Sequence, residues 1–487
     1  MEKIVSCFIP VKEGEVFTTT VNQLLGTGIV KKIFLMSTEK PNDIPQDCEW
    51  IECENFNSTS AIKSIGANAN TPYTLIYTKT SPLELGAYSL ERFVNLIDDT
   101  GAGLVYSDYY EKKNGELFNH PVIDYQTGSL RDDFNFGSLL FYKTEAVKNA
   151  IAKFSHEFKF AGFYDLRLKV SQTYSLFRIP ECLYTEVESD TRKSGEKMFD
   201  YVDPKNREVQ IEMEKACTQH LKEIGGYLKP DFAEMKFGED NFPFEASVVI
   251  PVRNRAKTVE DAIKSILLQK TNFKFNLIIV DNHSTDGTTE IIQKYAKESD
   301  LIVHLIPERK DLGIGGCWTA AVMDSHCGRF AVQLDSDDLY IDENTLQKIV
   351  DAFYEQQCAM VVGTYKMVNV DLEMIPPGII DHKEWTPDNG RNNALRINGL
   401  GAPRAFYTPV LREIKVPNVS YGEDYAVGLA VSRNYQIGRI YDPLYLCRRW
   451  DGNSDAALDI VKQNSHNTYK DRIRTIELAA RIAKNKK

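Results

Sequence analysis

The sequence lacks the long apolar segments of a membrane protein. Among its 487 residues there is no run of about 18 apolar residues, the length that a membrane-spanning helix requires. Its first residues also lack the apolar stretch of about 7 to 15 residues that marks a secretory signal. We therefore expect a cytoplasmic protein, with a peripheral position at the inner face of the membrane as the alternative.

Paired cysteines are missing as well. The nine cysteines are scattered, odd in number and without a Cys-x-x-Cys spacing that could hold zinc. This pattern predicts reduced thiols in a reducing compartment rather than a disulfide framework.

Basic residues are outnumbered by acidic ones. There are 58 Lys and Arg against 69 Asp and Glu, which gives a formal net charge of -11. Because a protein that holds nucleic acid by charge needs a basic surface, we expect no nucleic-acid partner. The length predicts two to four domains, and the sequence does not indicate an oligomeric state.

The glycine motifs of two large nucleotide-binding classes are absent. The turn after the strand that begins at Ala246 has no Gly-x-Gly-x-x-Gly, which argues against a dinucleotide-dependent dehydrogenase. The glycines at 313–316 are not followed by Gly-Lys-Ser or Gly-Lys-Thr, so they form no Walker loop.

The second half of the chain alternates between predicted strands and helices. Apolar, β-branched runs predict strands at 246–252, 275–280, 301–306 and 329–334. The helix after the first strand begins near Thr258 and Asp261, whose spacing resembles a capping box. The alternation predicts right-handed crossovers and a mainly parallel sheet covered on both faces.

The two halves of the chain resemble each other. Residues 6–11 parallel residues 247–252, and residues 164–184 align without gaps on residues 425–445 with nine identities in 21 positions. We interpret the chain as a tandem duplication, with a predicted linker helix at 206–224 that packs on the first copy. The predicted segments are a first domain at 1–185, a helical linker at 186–243, a second domain at 244–460 and a basic helix at 461–487.

Acidic residues follow the predicted strands of the second domain. Asp281 follows one strand, and Asp335, Asp337 and Asp338 follow another. Ligands of open α/β sheets bind beyond the carboxyl ends of the strands, where paired carboxylates can hold Mg²⁺ or Mn²⁺ together with substrate phosphates. The alternative is a solvated strand-end turn that caps the next helix.

Four motifs together resemble the inverting glycosyltransferases of family two, which have the GT-A fold. They are Ile-Pro-Val-Arg-Asn at 250–254, Val-Asp-Asn-His-Ser-Thr-Asp-Gly-Thr at 280–288, Leu-Asp-Ser-Asp-Asp at 334–338 and Gly-Glu-Asp at 422–424. The resemblance implies an α/β chain of two tandem GT-A-like, Rossmann-like domains. It also implies a nucleotide-sugar donor and bound Mn²⁺ or Mg²⁺.

The resemblance further implies roles for single residues. Asp335 and Asp337 would form the Asp-x-Asp pair that binds the metal, with Asp337 the more direct ligand, and Asp424 would be the general base. Such a base removes the proton of the acceptor hydroxyl, and the metal neutralises charge on the departing diphosphate. The donor nucleotide would be held by Pro251, Val252, Arg253, Asn254, Asp281 and Asp335.

Five residues near these motifs have two interpretations each. Arg449 could steady the donor diphosphate and Trp450 could stack on a sugar on the acceptor side, or they could be a surface arginine and a packed tryptophan. His466 could be a third metal ligand or incidental to the site. Glu423 could face the acceptor, or it could start a helix together with Asp424, where carboxylates favour the helix dipole.

The first domain lacks the acids of the second. Residues 78–81 read Thr-Lys-Thr-Ser where the second domain has the acids of 335–338, and Gly162 and Phe163 stand in place of Glu423 and Asp424. We interpret it as a degenerate copy with a scaffolding or acceptor-binding role.

Basic residues surround the apolar positions of the predicted C-terminal helix, among them Lys470, Arg474 and Arg481. Such a helix could contact an anionic membrane where lipid-linked acceptors are made. The alternative is a helix docked on the domain with its charged face in water.

We therefore predict a metal-dependent, inverting glycosyltransferase that acts from a nucleotide-sugar on a glycan, lipid-linked or other hydroxyl acceptor, in polysaccharide or glycoconjugate biosynthesis. The Gln-x-x-Arg-Trp of processive synthases is absent, so we expect transfer of single sugars. Two alternatives stay open. A sugar-phosphate nucleotidyltransferase would need a basic glycine-rich loop that the first turn lacks, and a glycan- or nucleotide-binding protein would keep the fold with weak or no turnover.

Overall fold

The computed structural model describes residues 2–12, 17–187, 203–238, 241–383, 385–450, 452–453 and 458–487. Within these residues the chain forms two compact units. Unit 1 falls within Met1–Lys193, Glu208–Gly226 and Leu458–Leu478, and unit 2 within Ser194–Arg207, Tyr227–Ala457 and Ala479–Lys487. The C-terminal segment that was predicted as a separate helix is thus divided between the two units.

Unit 1 contains one mixed sheet. Its elements are β1 Val5–Pro10, α1 Thr18–Gly26, β2 Val30–Ser37, β3 Cys48–Glu52, α2 Thr59–Asn68, β4 Tyr73–Tyr77, β5 Glu84–Leu85, α3 Ser89–Thr100, β6 Leu104–Lys113, β7 Glu116–His120, β8 Leu139–Lys143, α4 Thr144–Ile151, α5 Gly162–Ser171, β9 Leu176–Val187 and α6 Arg207–Glu223. The strand order is β3-β2-β1-β4-β8-β6-β9-β5, with β7 paired to β6. Strand β4 is buried along its whole length, which is typical of sheets covered on both faces.

Unit 2 contains a second sheet of the same kind. Its elements are β10 Ala246–Val252, α7 Val259–Leu267, β11 Phe275–Asp281, α8 Thr288–Glu298, β12 Ile302–Leu305, α9 Ile314–Met323, β13 Phe330–Gln333, β14 Leu339–Tyr340, α10 Thr345–Gln356, β15 Met360–Val368, β16 Met374–Ile380, α11 Gly390–Asn393, β17 Arg404–Tyr407, α12 Thr408–Ile414, α13 Glu423–Asn434 and β18 Ile437–Arg448. The strand order is β12-β11-β10-β13-β17-β15-β18-β14, with β16 paired to β15. The four predicted strands are therefore present, and Asp281 is the last residue of β11.

The two sheets share one topology. If β1 is matched to β10 and each later strand to its counterpart, the strand orders and the parallel or antiparallel sense of every pairing agree. In each unit the first four strands of this order run parallel. The fifth and the last run antiparallel to them, and the sixth and seventh run parallel to them. The predicted fold class, two tandem GT-A-like α/β units, is confirmed, and the shared topology is what a tandem duplication would leave.

Helix α6 packs on unit 1, as predicted for the linker helix. The carboxylate of Glu212 accepts hydrogen bonds from three successive backbone N–H groups, those of Lys159 at 3.0 Å, Phe160 at 2.6 Å and Ala161 at 3.2 Å. These groups lie just before α5, so Glu212 satisfies donors that a helix start leaves without partners.

All nine cysteines are free in the structure. No helix in the described part of the chain combines the length and the apolarity needed to cross a membrane.

The C-terminal helix α14, Ile460–Asn485, buries part of its expected basic face. The side chains of Lys470, Arg474 and Arg481 are at most 8% exposed. In unit 1, Arg474 Nη1 donates to Asp471 Oδ1 at 2.8 Å, and Ser129 Oγ donates to Asp471 Oδ2 at 2.9 Å. Because these three basic side chains are buried, they form neither a charged face in water nor a contact with a membrane.

The buried ion pair on α14 leads to a stability prediction. Removing one partner of a buried pair leaves the other charge without its counter-charge, so Arg474→Ala should lower the free energy of unfolding by about 3 to 5 kcal/mol. The matched control is Arg472→Ala on the same helix, whose exposed side chain should change it by less than about 0.5 kcal/mol. Urea unfolding measures both, and equal effects of the two substitutions would contradict the importance of the pair.

Candidate active site

The residues predicted to carry the chemistry meet at one edge of the sheet of unit 2. Strands β10, β11 and β13 run parallel, so Val252, Asp281 and the turn that starts near Asp335 lie at their carboxyl ends. Strand β17 runs antiparallel to β13 and brings its first residue, Arg404, to the same edge. Strand β18 runs parallel to β15, which is antiparallel to β17, so its last residue, Arg448, also lies there.

The loops after β10 and β11 are bound to each other. Asn254 has a left-handed backbone with φ 56°, and its N–H donates to Ser284 Oγ at 3.0 Å. Its Oδ1 accepts from the backbone N–H of Thr285 at 2.8 Å. Three other residues of this loop were predicted to contact the donor. Val252 is buried, Pro251 is half-buried and Arg253 is exposed.

Asp281 is completely buried at the end of β11. Its Oδ1 accepts from the N–H of Ser284 at 3.0 Å and its Oδ2 from Thr289 Oγ1 at 2.5 Å, and His304 Nε2 lies 3.5 Å from Oδ2. Burial by itself raises the pKa of Asp281, but the hydrogen bonds from Thr289 and Ser284 and the neighbouring His304 bring it below the usual value. Asp281 therefore presents a negative charge at the sheet edge.

Asp335 is oriented by the last residue of the strand before it. Gln333 Nε2 donates to both carboxylate oxygens of Asp335 at 2.9 Å, and the backbone N–H of Asp335 donates to Tyr445 OH at 3.0 Å. Burial raises the pKa of Asp335, and the neighbouring acids Asp337 and Asp424 raise it further. Arg404 and the hydrogen bond from Gln333 oppose this rise.

Asp337 contacts the segment that follows β18. Its Oδ2 accepts from Asn453 Nδ2 at 3.1 Å and from Trp450 Nε1 at 3.4 Å, and Arg255 Nε lies 4.0 Å away. The indole of Trp450 lies over Gly452, where an added Cβ would come within 2.4 Å of the ring. Trp450 is therefore packed against its own loop and at the same time reaches the Asp-x-Asp turn.

Arg448 holds the turn from the other side. Its backbone N–H donates to Asp338 Oδ1 at 2.7 Å, its Nε to the carbonyl of Asp337 at 2.7 Å, and its Nη1 to Asp261 Oδ2 at 3.0 Å. The predicted capping box is wrong, because Asp261 is used in this way and Thr258 Oγ1 has no partner among the described groups.

Asp424 and Glu423 are the first residues of α13, so the helix start that was weighed as an alternative is real. The preceding Gly422 has φ 77°, a left-handed conformation that glycine adopts without strain. Asp424 Oδ2 forms an ion pair with Arg404 Nη1 at 2.8 Å. A helix start and a functional carboxylate are compatible, because the pair faces Arg404 across the sheet edge.

Glu423 lies beside this pair in a site that disfavours its charge. Burial and the neighbouring Asp424 raise the pKa of Glu423 to about 8, and Arg404 opposes the rise. Its Oε2 is buried and has no hydrogen-bond partner within the described part of the chain. Such a carboxyl group keeps its proton to a higher pH than an ordinary glutamate, and in the protonated form it can donate a hydrogen bond.

The acids of the turn fit a divalent cation that takes other ligands from a substrate. Mg²⁺ usually binds through one or two carboxylates plus phosphate oxygens, and Asp335 and Asp337 supply two carboxylates on one turn. Among the described residues, no group of three or more His, Cys, Asp and Glu side chains is arranged to hold a metal. The pair therefore suits a metal that binds together with a diphosphate.

The two further predicted residues are Arg449 and His466. Arg449 is half-buried, and its backbone N–H donates to the carbonyl of Val368 at 2.7 Å. His466 lies on α14 in the part of that helix that belongs to unit 1, and burial together with Lys462 and Lys470 lowers its pKa. Their roles, diphosphate contact and third metal ligand, stay predictions.

Strand register identifies the counterparts of these residues in unit 1. Val5 pairs with Tyr73 as Ala246 pairs with Phe330, and Tyr73 pairs with Lys143 as Phe330 pairs with Tyr407. The polar site residues of unit 2 are Gln333, Asp335, Asp337, Arg404, Glu423, Asp424 and Arg448. Their counterparts in the same order are Ile76, Thr78, Thr80, Leu140, Gly162, Phe163 and Val187.

Sequence reasoning missed Gln333, Arg404 and Arg448. Arg404 and Gln333 are 71 residues apart and belong to no recognised motif, so only the antiparallel pairing of β13 and β17 brings them together. Arg448 stands next to Arg449, which was chosen in its place. Its position as the last residue of a strand, at the same edge as the acids, is the signal that could have identified it.

Known proteins resemble this chain over parts of its length. It is 27% identical over 186 residues to the putative teichuronic acid biosynthesis glycosyltransferase TuaG of Bacillus subtilis. The aligned stretch covers 38% of this chain and 71% of that protein. It is 24% identical over 238 residues to a poly(ribitol-phosphate) beta-glucosyltransferase of Bacillus spizizenii, which covers 47% of this chain and 36% of that protein. The chain thus spans only about a third of the second relative.

Among solved structures, Staphylococcus aureus TarS 1-349 in complex with UDP-GlcNAc is similar, with a TM-score of 0.37 and 21% identity over 47% of this chain and 70% of that one. Residues 247–407 match the family described as Glycosyl transferase family 2. This stretch runs from β10 to β17 and contains Asp281, the Asp-x-Asp turn and Arg404, whereas Asp424 lies beyond it. The sheet edge described above thus falls largely within the family match, and over this stretch the second unit is similar to glycosyl transferase family 2.

Proposed function

We propose that unit 2 transfers a single sugar from a nucleotide-sugar donor to an acceptor hydroxyl, with inversion at the anomeric carbon. The observation that carries the proposal is the placement of two separate carboxylate sites at one sheet edge. The Asp335–Asp337 turn forms one site, and Asp424, paired with Arg404 at 2.8 Å, forms the other. A diphosphate and an acceptor hydroxyl need these two kinds of site.

In the proposed reaction Asp424 accepts the proton of the acceptor hydroxyl. The acceptor oxygen forms a bond to the anomeric carbon from one face, and the bond from that carbon to the diphosphate oxygen breaks on the other face. Its electron pair leaves with the nucleoside diphosphate. A single displacement of this kind inverts the anomeric configuration and needs one general base, which typically contributes about 10² to 10⁴-fold in rate.

The donor would lie across the loops after β10 and β11. Asp281 and the loop at 251–254 are proposed to hold the base and ribose, and Asp335 and Arg449 the diphosphate end. Mn²⁺ or Mg²⁺, bound by Asp335 and Asp337, would neutralise negative charge on the departing diphosphate. The hydrogen bonds from Gln333 orient Asp335 for this contact without help from the substrate.

The acceptor is proposed to be a polyhydroxylated chain of the cell-envelope type. The names of two relatives, one for teichuronic acid biosynthesis and one acting on poly(ribitol-phosphate), support this class. Glu423 and Trp450 are proposed to face the acceptor, and the protonated carboxyl of Glu423 can donate a hydrogen bond to it. Transfer to such acceptors fits a cytoplasmic protein that works at the inner face of the membrane.

The competing proposal is a glycan- or nucleotide-binding protein without turnover. It would be favoured by the hydrogen bonds from Trp450 and Asn453 to Asp337, because they occupy a carboxylate that a metal needs. Hydrolysis or transfer from a panel of UDP- and GDP-sugars with Mn²⁺ separates the two proposals. Nucleotide binding without any turnover across the panel would favour the binding protein.

Two substitutions should separate donor binding from chemistry. Asp337→Asn should abolish the Mn²⁺-dependent rise in melting temperature that a bound nucleoside diphosphate produces, because ligand binding stabilises by RT ln(1 + [L]/Kd). Asp424→Asn should keep that rise and lower transfer by about 10² to 10⁴-fold. Thermal-shift and transfer assays on the same preparations measure both effects.

The matched controls come from the counterpart turn in unit 1. Thr78→Ala and Thr80→Ala, at the positions equivalent to Asp335 and Asp337, should leave the thermal shift and the transfer rate within about twofold of wild type, because neither threonine supplies a carboxylate for a metal. If these changes abolished transfer while Asp337→Asn did not, the chemistry would not belong to unit 2.

Glu423 gives a pH-dependent prediction. Its folded-state pKa of about 8 lies above the ordinary 4.5, so its protonation stabilises the fold. This contribution is complete below pH 4.5 and is lost as the pH rises through 8. Wild type should therefore lose more stability between pH 5 and pH 9 than Glu423→Gln, which cannot ionise, in urea unfolding at each pH. The exposed Glu413→Gln is the control and should follow wild type, and parallel curves for wild type and Glu423→Gln would refute the raised pKa.

A further inference from the structure

We propose that Arg404 is a positioning residue for Asp424, and that Gln333 joins this pair to Asp335 so that the base and the metal-binding carboxylate are held as one unit. The proposal rests on the proposed function, since it concerns how the base of that reaction is held. It gives a role to Arg404 and Gln333, which belong to none of the four sequence motifs.

The contacts form a continuous chain across the sheet edge. Arg404 Nη1 donates to Asp424 Oδ2 at 2.8 Å and to the carbonyl of Gly401 at 2.6 Å, so this nitrogen has two acceptors. The backbone N–H of Arg404 donates to Gln333 Oε1 at 3.1 Å, and Gln333 Nε2 donates to both oxygens of Asp335 at 2.9 Å. A shift of β17 against β13 would therefore disturb Asp335 and Asp424 together.

The charges at this edge call for a cation at the position of Arg404. Asp335, Glu423 and Asp424 lie near one another, and each raises the pKa of Arg404 against the effect of its burial. Arg404 in turn lowers the pKa of Asp335 and of Glu423. A guanidinium that is 17% exposed, paired with a carboxylate that is 26% exposed, is shielded from water well enough for this interaction to matter.

Unit 1 provides an internal comparison. There the counterparts of Gln333, Asp335, Arg404 and Asp424 are Ile76, Thr78, Leu140 and Phe163. All four polar members are changed together, although the strands that carry them keep their order and pairing. A residue needed only to hold β17 against β13 would be needed in both units. Unit 1 lacks a counterpart of Arg404 as well as counterparts of the acids. Arg404 is therefore associated with the chemistry of the acids rather than with the fold.

The consequence for the reaction concerns the ionisation of the base. Among the described residues, Arg404 from β17, Glu423 from its own helix and Asp335 from the turn after β13 interact with Asp424. Negative charges on neighbouring acids such as Asp335 favour protonation of Asp424, and only a proton-free carboxylate can accept the acceptor's proton. Arg404 offsets them and holds the carboxylate oxygen in a fixed direction, so the base is ready at lower pH.

The experiment is the pH profile of kcat/KM for transfer or donor hydrolysis in wild type, Arg404→Met and Arg404→Lys. Loss of the cation should move the acidic limb of Arg404→Met up by about one pH unit or more, since an adjacent arginine lowers an aspartate pKa by roughly 1 to 3 units. The donor KM should stay within about threefold. Arg404→Lys keeps the charge, so its limb should return to within about half a unit of wild type.

The control is Arg412→Met. Arg412 is also half-buried in unit 2, but it donates to backbone carbonyls, those of Val322 at 2.9 Å and Asp324 at 3.3 Å. Its loss should lower stability without moving the acidic limb. If Arg404→Met also lowered stability and left the limb unmoved, Arg404 would have a structural role only and the proposal would fail.

The ion pair between Arg404 and Asp424 can also be tested if the protein shows no enzymatic activity. The test is a double-mutant cycle of Arg404→Met and Asp424→Asn, in which urea unfolding at pH 7 measures the free energy of unfolding. The two changes should be non-additive, because each removes one partner of the same ion pair. Wild type without any turnover would overturn the proposed function but not the pairing. Additive effects in the cycle would overturn the pairing whether or not the protein turns over a donor.

Discussion

Electrostatic repulsion among carboxylates is the constraint on which the active edge of unit 2 depends. Asp281, Asp335, Asp337 and Asp338 lie at the carboxyl ends of neighbouring strands and Asp424 lies at the start of α13, and burial raises the pKa of Asp335 and Asp338. Two arginines at the ends of β17 and β18 offset this. Arg404 pairs with Asp424, and Arg448 ties Asp261 to the Asp-x-Asp turn. The same sheet edge can therefore remain acidic and folded before any cation or substrate binds.

The two units show how little of this chemistry the fold itself requires. Both sheets have one strand order, and both keep a tyrosine at the end of the last long strand, Tyr184 and Tyr445. Unit 1 nevertheless has Leu140 and Phe163 where unit 2 has Arg404 and Asp424. Glu212 also fills the region before helix α5 with a carboxylate of its own chain. The fold sets where a ligand can bind, and the side chains at the sheet edge set whether one does.

Much of this architecture could be predicted from local patterns. The strands, the start of α13 and the acids at the strand ends follow from short apolar runs and contiguous motifs. Contacts between distant segments could not be predicted in this way, and they include Gln333 with Arg404 and Arg448 with Asp261. The capping box failed for the same reason, because Arg448, 187 residues away, is the partner of Asp261. The buried Arg474 was placed on an exposed face because helical periodicity does not reveal a buried ion pair.

We propose that unit 2, and not its structural counterpart, binds the nucleotide and the metal. A crystal structure with Mn²⁺ and UDP or GDP, read by the anomalous signal of manganese, tests it most directly. We expect a manganese peak beside Asp335 and Asp337, with the diphosphate next to it and no peak at residues 78–81 of unit 1. A nucleotide bound in unit 1, or one bound in unit 2 away from Asp335 and Asp337, would contradict it.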